Sequence, residues 1–259
     1  MPDLNKFEKL PARALHIFYV LDTSGSMTGT PIATLNRAME ETVEILRNLA
    51  KSQADSELKI AVLEFNSGCR WMQAGGPEEL EDFIWEDLSA GGLTDVGAAL
   101  KELDSKLHRS AFLGSMTGAF YPIIIFMSDG CATDDYKKAL EAIRKNDWFH
   151  RATKIGFALG DDPDIGMIAD VVGTHEAVVK ADKLETFARM IKFASVTSSM
   201  VRSSSVTTTQ VVEGKDIVQM MKEQGEAPDT ITVTDPGGYD PEPEVKPDVD
   251  PDWGGDDWD

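Results

Sequence analysis

The chain has 259 residues, 42% of them apolar and 27% charged, which suits one large domain with a core of its own plus an extension. Its formal net charge of −20 argues against nucleic-acid backbones and anionic lipid surfaces as partners. Two cysteines, Cys69 and Cys131, in no CxxC arrangement, exclude a disulfide framework and a thiolate zinc site.

The four histidines, His16, His108, His150 and His175, are scattered, with no HExxH pattern. No stretch approaches 18 consecutive apolar residues, so no membrane span is expected. Met1–Leu15 lacks a basic region followed by an apolar one, so no signal peptide is expected and a reducing cytoplasm is the default compartment.

In chain order, His16–Leu21 (HIFYVL) reads as a strand buried on both faces. Thr30-Pro31 opens a helix over 31–50, where Ile32, Leu35, Met39, Val43 and Leu46 recur at three- and four-residue steps. Leu58–Phe65 is the next strand, and Cys69–Met72 a short one after a turn. Val96, Leu100, Leu103 and Leu107 mark a helix over 95–108. Pro122–Met127 (PIIIFM) is another buried strand. A helix over 133–145 would hold Asp134 and Asp135 in its first turn, where the dipole favours anions. A strand at 153–159, a helix at 163–171 and a strand at 176–179 follow. Asp182 and Glu185 then resemble a capping box for a helix over 183–195.

The Ser/Thr-rich stretch Ser195–Gln210 reads equally as a linker or, around Ser205–Val212, as an edge strand. Lys215–Glu223 places Ile217, Met220 and Met221 on one face of a short helix. From Glu226 to Asp259 there are 12 acidic residues, one lysine and six of the 12 prolines. Such a segment buries too little apolar surface to offset its ordering entropy and is expected to be disordered in isolation. The chain thus divides into a folded unit over 1–199, a linker with a short helix over 200–225, and an acidic Pro-rich tail over 226–259.

Strands alternating with helices imply an α/β fold, a doubly wound, Rossmann-like and mostly parallel sheet. Such sheets hold ligands beyond the C-terminal ends of their strands, where strand order reverses. Asp22-Thr23-Ser24-Gly25-Ser26 follows HIFYVL, and Ser128-Asp129-Gly130 follows PIIIFM. Gly91-Gly92-Leu93-Thr94-Asp95 lies just before a helix. In the strand order 3-2-1-4-5-6, with PIIIFM as strand 4, Asp22 and Asp129 are neighbours, on strands about 4.8 Å apart. Two such carboxylates repel unless a cation sits between them. The hydroxyls of Ser24, Ser26 and Thr94 are hard oxygen donors, and the set suits Mg²⁺, with Mn²⁺ or Ca²⁺ as alternatives.

Asp22-x-Ser24-x-Ser26, Thr94 and Asp129, in this order and strand context, resemble the metal-ion-dependent adhesion site of von Willebrand factor A (vWA) domains. The resemblance covers roughly residues 10–197. Leu21–Met27, Pro31–Met39, Gly91–Leu100 and Met127–Asp135 look most like the bacterial TerY-like branch, linked to tellurium resistance. The resemblance implies that Ser24, Ser26 and Thr94 coordinate the metal directly. Asp22 and Asp129 would act mostly through water or hydrogen bonds. It also implies a metal left free to accept an Asp or Glu from a protein partner, and a Thr94 loop that can move. TerY-like proteins are often associated with a protein kinase and a metal-dependent phosphatase, so such a partner is implied.

The expected function is a non-enzymatic, metal-dependent protein-binding or scaffold module in a bacterial or phage stress or defence system. One alternative is an Mg²⁺-dependent phosphotransfer enzyme. Against it, Ser24 stands where a haloacid-dehalogenase phosphatase carries its general acid, and Leu159 is followed by Gly160-Asp161-Asp162 where a receiver domain has lysine. The other alternative is a metal-independent structural subunit docking by its acidic tail. That tail is also rich in the carboxylates the metal would take, so it is a candidate to occupy the site in cis. Cys131 reads as a small core thiol, His175 as structural or exposed, and Trp71, Trp85 and Trp148 as packing residues.

Overall fold

The computed structural model describes residues 13–52, 56–114, 119–160, 162–181, 184–204 and 213–225. The strands are β1 (Arg13–Asp22), β2 (Ser56–Asn66), β3 (Gly68–Trp71), β4 (Glu78–Glu79), β5 (Ile123–Ser128), β6 (Thr153–Leu159) and β7 (Val178–Ala181). The helices are α1 (Thr30–Ser52), α2 (Val96–Lys106), α3 (Tyr136–Ile143), α4 (Asp147–His150), α5 (Ile165–Val172), α6 (Leu184–Ser204) and α7 (Gly214–Glu223).

Among the described residues the strands form one sheet in the order β3-β2-β1-β5-β6-β7, with β4 also on β2. The pairs β1–β2, β1–β5, β5–β6 and β6–β7 are parallel; β3 and β4 run antiparallel to β2. The doubly wound, mostly parallel arrangement therefore holds, and the strand after β1 in sequence lies on one side of it while β5 lies on the other. That is the reversal point at which a ligand site is expected.

Every residue of β1 from Ala14 onward is buried, because the sheet is covered on both faces. Leu15, Ile17, Tyr19 and Leu21 meet Leu35, Met39, Val43 and Leu46 of α1, with Met190, Ile191 and Ala194 of α6. Phe18 and Val20 point the other way, into Val96, Leu100 and Leu103 of α2, Leu140 of α3 and Ile168 of α5. A segment without regular structure crosses α1 and is tied to it. Arg47 donates to the carbonyls of Leu80 and Phe83, and Asn36 exchanges two bonds with Leu88.

Several boundaries differ from the sequence expectation, each for a local reason. The helix expected over 133–145 starts only at Tyr136, so Asp134 and Asp135 are not in its first turn. Asp134 instead accepts from the Gly97 and Ala98 amides and caps α2. Thr174 accepts from the Glu176 amide and starts a 3-10 turn, which delays the last strand to Val178. The Ser/Thr-rich stretch is helical through Ser204. Its hydroxyls turn inward: Ser195 and Ser199 donate to the carbonyls four residues back, and Tyr19 donates to Ser195 Oγ at 2.7 Å. The expected capping box at Asp182, the alternative strand around Ser205–Val212 and the acidic tail lie outside the described residues. No helix among the described residues is long and apolar enough to cross a membrane.

Residues 215–223, read as a short helix, belong to α7. It buries Ile217, Val218 and Met221 against the α1–α6 face of the core. The Tyr19–Ser195 bond gives a first expectation. Tyr19→Phe leaves the ring in place and removes a buried hydrogen bond, so urea denaturation should show a loss of about 1 kcal/mol.

Candidate metal centre

Three loops converge beyond the C-terminal ends of β1 and β5. The β1–β5 register sets Leu21 opposite Met127, so Asp22 stands beside Ser128 and Asp129 is one residue further out. Asp22 is fully buried. Its Oδ1 accepts from the Ser24 amide at 2.8 Å and its Oδ2 from Ser128 Oγ at 2.5 Å. Asp129 sits at the rim, where its Oδ1 accepts from Ser26 Oγ at 2.7 Å. Ser26 Oγ is also 3.0 Å from Ser24 Oγ. The two acids are thus separated in depth, and each is held by a hydroxyl from a different loop.

Burial pushes the Asp22 carboxyl above its usual range. The Ser128 and Ser24 bonds oppose that shift, and the Asp129 charge adds to it. A buried carboxylate beside another carboxylate gains from a neighbouring cation.

Thr94 is 6% exposed. Its hydroxyl and that of Ser26 flank one point: a Cβ placed on Gly130 would lie 3.8 Å from Ser26 Oγ and 4.0 Å from Thr94 Oγ1. Its loop is tied on all sides. The Gly91 amide donates to Thr23 O, the Gly25 amide to Gly92 O, and the Asp95 amide to Asn66 O. The Leu93 amide donates to Ser67 Oγ and the Thr94 amide to Thr133 Oγ1. Gly92 has φ +84°, and a side chain there would also run into Ser67 Oγ at 2.7 Å, so glycine is required.

The structure therefore links Asp22, Ser24, Ser26 and Asp129 by hydrogen bonds and brings the Thr94 hydroxyl to the same place. Sequence reasoning assigned no role to Ser128, Thr133, Asn66 or Ser67, which orient these residues. The one available signal was a hydroxyl residue, Ser128, directly after an otherwise apolar strand. The core-thiol reading of Cys131 is corrected, because Cys131 is exposed on the loop after Asp129. Asp162 is exposed, His175 is exposed, and Asp161 lies outside the described residues. Among the described residues no group of three or more His, Cys, Asp or Glu could hold a metal, so a cation site must draw on hydroxyls.

The von Willebrand factor type A domain profile matches residues 16–199. The chain belongs to this family. Helix α7 lies beyond the matched VWA region. No curated protein matches the chain in sequence. Solved structures share the VWA fold. Proximal thread matrix protein 1 from the mussel byssus, solved with a zinc-occupied MIDAS motif, has a TM-score of 0.53 at 15% identity, covering 70% of this chain and 47% of that one. A von Willebrand factor type A protein from Catenulispora acidiphila has 0.50 at 16% identity, covering 72% and 43%. The PilB minor pilin from Streptococcus sanguinis has 0.54 at 11% identity, covering 74% and 62%. The chain spans about half the length of the first two. At these identities the likeness is one of fold.

Proposed function

We propose that Asp22, Ser24, Ser26, Thr94 and Asp129 form a divalent-cation site through which this VWA domain captures an Asp or Glu of a protein partner. The convergence of three hydroxyls and two carboxylates from three separate loops carries this reading. Ordinary turn chemistry explains any one loop but not their meeting at one point. The donors are all hard oxygens, which fits Mg²⁺ first, with Mn²⁺ and Ca²⁺ as alternatives. The zinc-occupied motif of the mussel protein supports a metal at this place in the fold.

Ser24, Ser26 and Thr94 would supply neutral oxygens to the cation. Asp22 and Asp129 would orient those hydroxyls, as their present hydrogen bonds to the Ser24 amide and Ser26 Oγ suggest. Ser128 fixes Asp22 from behind. When bound, the cation supplies an acceptor whose charge is only partly neutralised, which favours an incoming carboxylate. Binding rather than turnover follows, because Ser24 offers no carboxylic-acid proton at the position where a phosphatase of similar sheet topology needs one.

The finer setting belongs to the same proposal. It is a cytoplasmic scaffold of the TerY-like kind, in bacterial or phage stress or defence signalling, with a protein kinase or phosphatase as partner. It rests on the local resemblance of Leu21–Met27, Pro31–Met39, Gly91–Leu100 and Met127–Asp135.

Titration calorimetry with Mg²⁺ tests the site. The wild type should bind, Thr94→Ala should lose binding, and Ser128→Ala should weaken it about 10- to 100-fold through misplacement of Asp22. Equal affinity in all three would end the reading. Capture of a partner from lysate with Mg²⁺, with EDTA and with Asp22→Ala then tests the function. Retention in all three would move function away from the metal centre. A generic phosphatase substrate should not turn over.

A further inference from the structure

Two of the loops that meet at the candidate cation site, those of Thr94 and Asp129, are also joined by an exchange of partners at the start of α2. Asp95 occupies the N-cap position of that helix, yet its side chain makes no capping bond. An aspartate there ordinarily accepts from the second or third helical amide. Here that task falls to Asp134, from the loop after β5. Its Oδ1 accepts from the Gly97 amide at 2.9 Å and its Oδ2 from the Ala98 amide at 3.1 Å. Asp95 is thereby released to take a different donor, and its Oδ1 accepts from the Thr133 hydroxyl at 3.1 Å.

Thr133 closes on Thr94 from both sides of its backbone. Thr133 Oγ1 accepts from the Thr94 amide at 2.9 Å, and the Thr133 amide donates to Thr94 O at 2.9 Å. A threonine hydroxyl has one proton to give, and that of Thr133 goes to Asp95, which leaves a lone pair for the Thr94 amide. Asp95 therefore directs the Thr133 hydroxyl, and the hydroxyl directs Thr94. Thr94 is 6% exposed, so an amide left there without an acceptor is costly.

Gly97 shows that this close approach is built into the chain. A Cβ on Gly97 would lie 2.7 Å from Asp134 Oδ2 and 3.1 Å from Tyr136 Cα. The carboxylate could swing aside, but the Tyr136 backbone could not. Glycine weakens a helix relative to alanine, and at this position it admits the loop that carries Thr133 and Asp134. Thr133 itself is exposed and lies outside both core clusters, so its hydroxyl serves the loop junction and not the packing of the core.

We propose that Thr133 is a positioning residue of the cation site, which fixes where the Thr94 hydroxyl stands and so sets cation affinity through Thr94. The assignment rests on the cation reading given above. Ser128 holds a carboxylate from behind, whereas Thr133 acts on a backbone amide. Position 133 accordingly needs a hydroxyl and does not need the methyl group.

Two variants of the full chain separate these requirements. Thr133→Val keeps the branched shape and removes the hydroxyl, and Thr133→Ser keeps the hydroxyl and removes the methyl. In titration calorimetry, Mg²⁺ affinity should fall about 10-fold in Thr133→Val and stay within about twofold of wild type in Thr133→Ser. Amide exchange followed by NMR without Mg²⁺ gives a readout independent of the metal. The Thr94 amide should exchange about fivefold faster or more in Thr133→Val than in wild type or Thr133→Ser. The β1 and β5 amides should keep their rates, which shows that the variant is folded. Equal Mg²⁺ affinity in wild type and Thr133→Val would overturn the assignment, and so would an unchanged Thr94 amide in Thr133→Val. An equal loss in Thr133→Ser and Thr133→Val would overturn it too, because shape and not the hydroxyl would then matter. A wild type that binds no Mg²⁺ defeats the cation reading and this assignment with it. A wild type that binds, with variants that bind equally well, removes Thr133 alone and leaves the cation reading in place.

Discussion

Gly214→Ala is expected to detach helix α7. A Cβ at Gly214 would lie 1.6 Å from the carbonyl oxygen of Lys154 and 3.2 Å from Ala177 Cβ. The obstacle is strand backbone, which cannot swing aside as a side chain can, so the helix must lift. Lifting exposes Ile217, Val218 and Met221, each now at most 1% exposed. At about 1.5–3 kcal/mol for each large apolar side chain, the loss is about 5–9 kcal/mol if docking is abolished and less if the helix re-seats at an angle. Hydrogen exchange distinguishes the outcomes. The α7 amides should lose protection in the variant while those of β1 and β5 keep theirs. Unchanged α7 protection would show that the close approach to Lys154 is not what seats the helix.

His16 should make stability depend on pH. It is 1% exposed in β1, stacked on Phe18 at 6.3 Å, and its Nδ1 has no hydrogen-bond partner among the described residues. Burial, and secondarily the charge of Lys59 opposite it in the β1–β2 register, lower its pKa from 6.5 to about 4. The folded protein then resists protonation that the unfolded chain accepts. Between pH 6.5 and pH 4 the unfolded state binds more protons, so the His16 contribution is complete above pH 6.5 and is lost as pH falls toward 4. The full loss is about 3 kcal/mol. Urea denaturation at pH 7.5 and pH 4.5 should show this decline in the wild type and a shallower one in His16→Leu. Parallel declines would assign acid sensitivity to the carboxylates alone.

The strands and long helices were legible because their signals are local. The HIFYVL and PIIIFM runs are wholly buried, and the apolar positions of α1 recur at the helical period. The five residues proposed for the cation site stood out in the sequence because Asp, Ser and Thr cluster after strands whose order the alternation of elements already implies. What escaped depends on contacts distant in sequence. Asp134 reads as a first-turn residue of the helix that follows it, yet it caps α2, because α2 presents free amides across the fold. Ser195, Ser198 and Ser199 read as linker residues from their polarity, yet all three are buried on α6. Their hydroxyls find partners only once Tyr19 and the preceding helical turn are in place, apart from Ser198 Oγ, which has none among the described residues. Ser128 acquires its meaning from Asp22, 106 residues away.

The loop that carries Thr94 is fastened to β1, to the β2–β3 turn and to Thr133 through successive backbone amides. A receptor assembled this way has lost its loop entropy during folding, so little ordering is left to oppose association. For the proposed site, encounter with a partner would then need orientation but no rearrangement of this loop, in contrast to the mobile Thr94 loop that the resemblance implies, and association would fall in the ordinary range of about 10⁵–10⁷ M⁻¹s⁻¹. Selectivity among partners of the proposed site would accordingly reside in how long each stays.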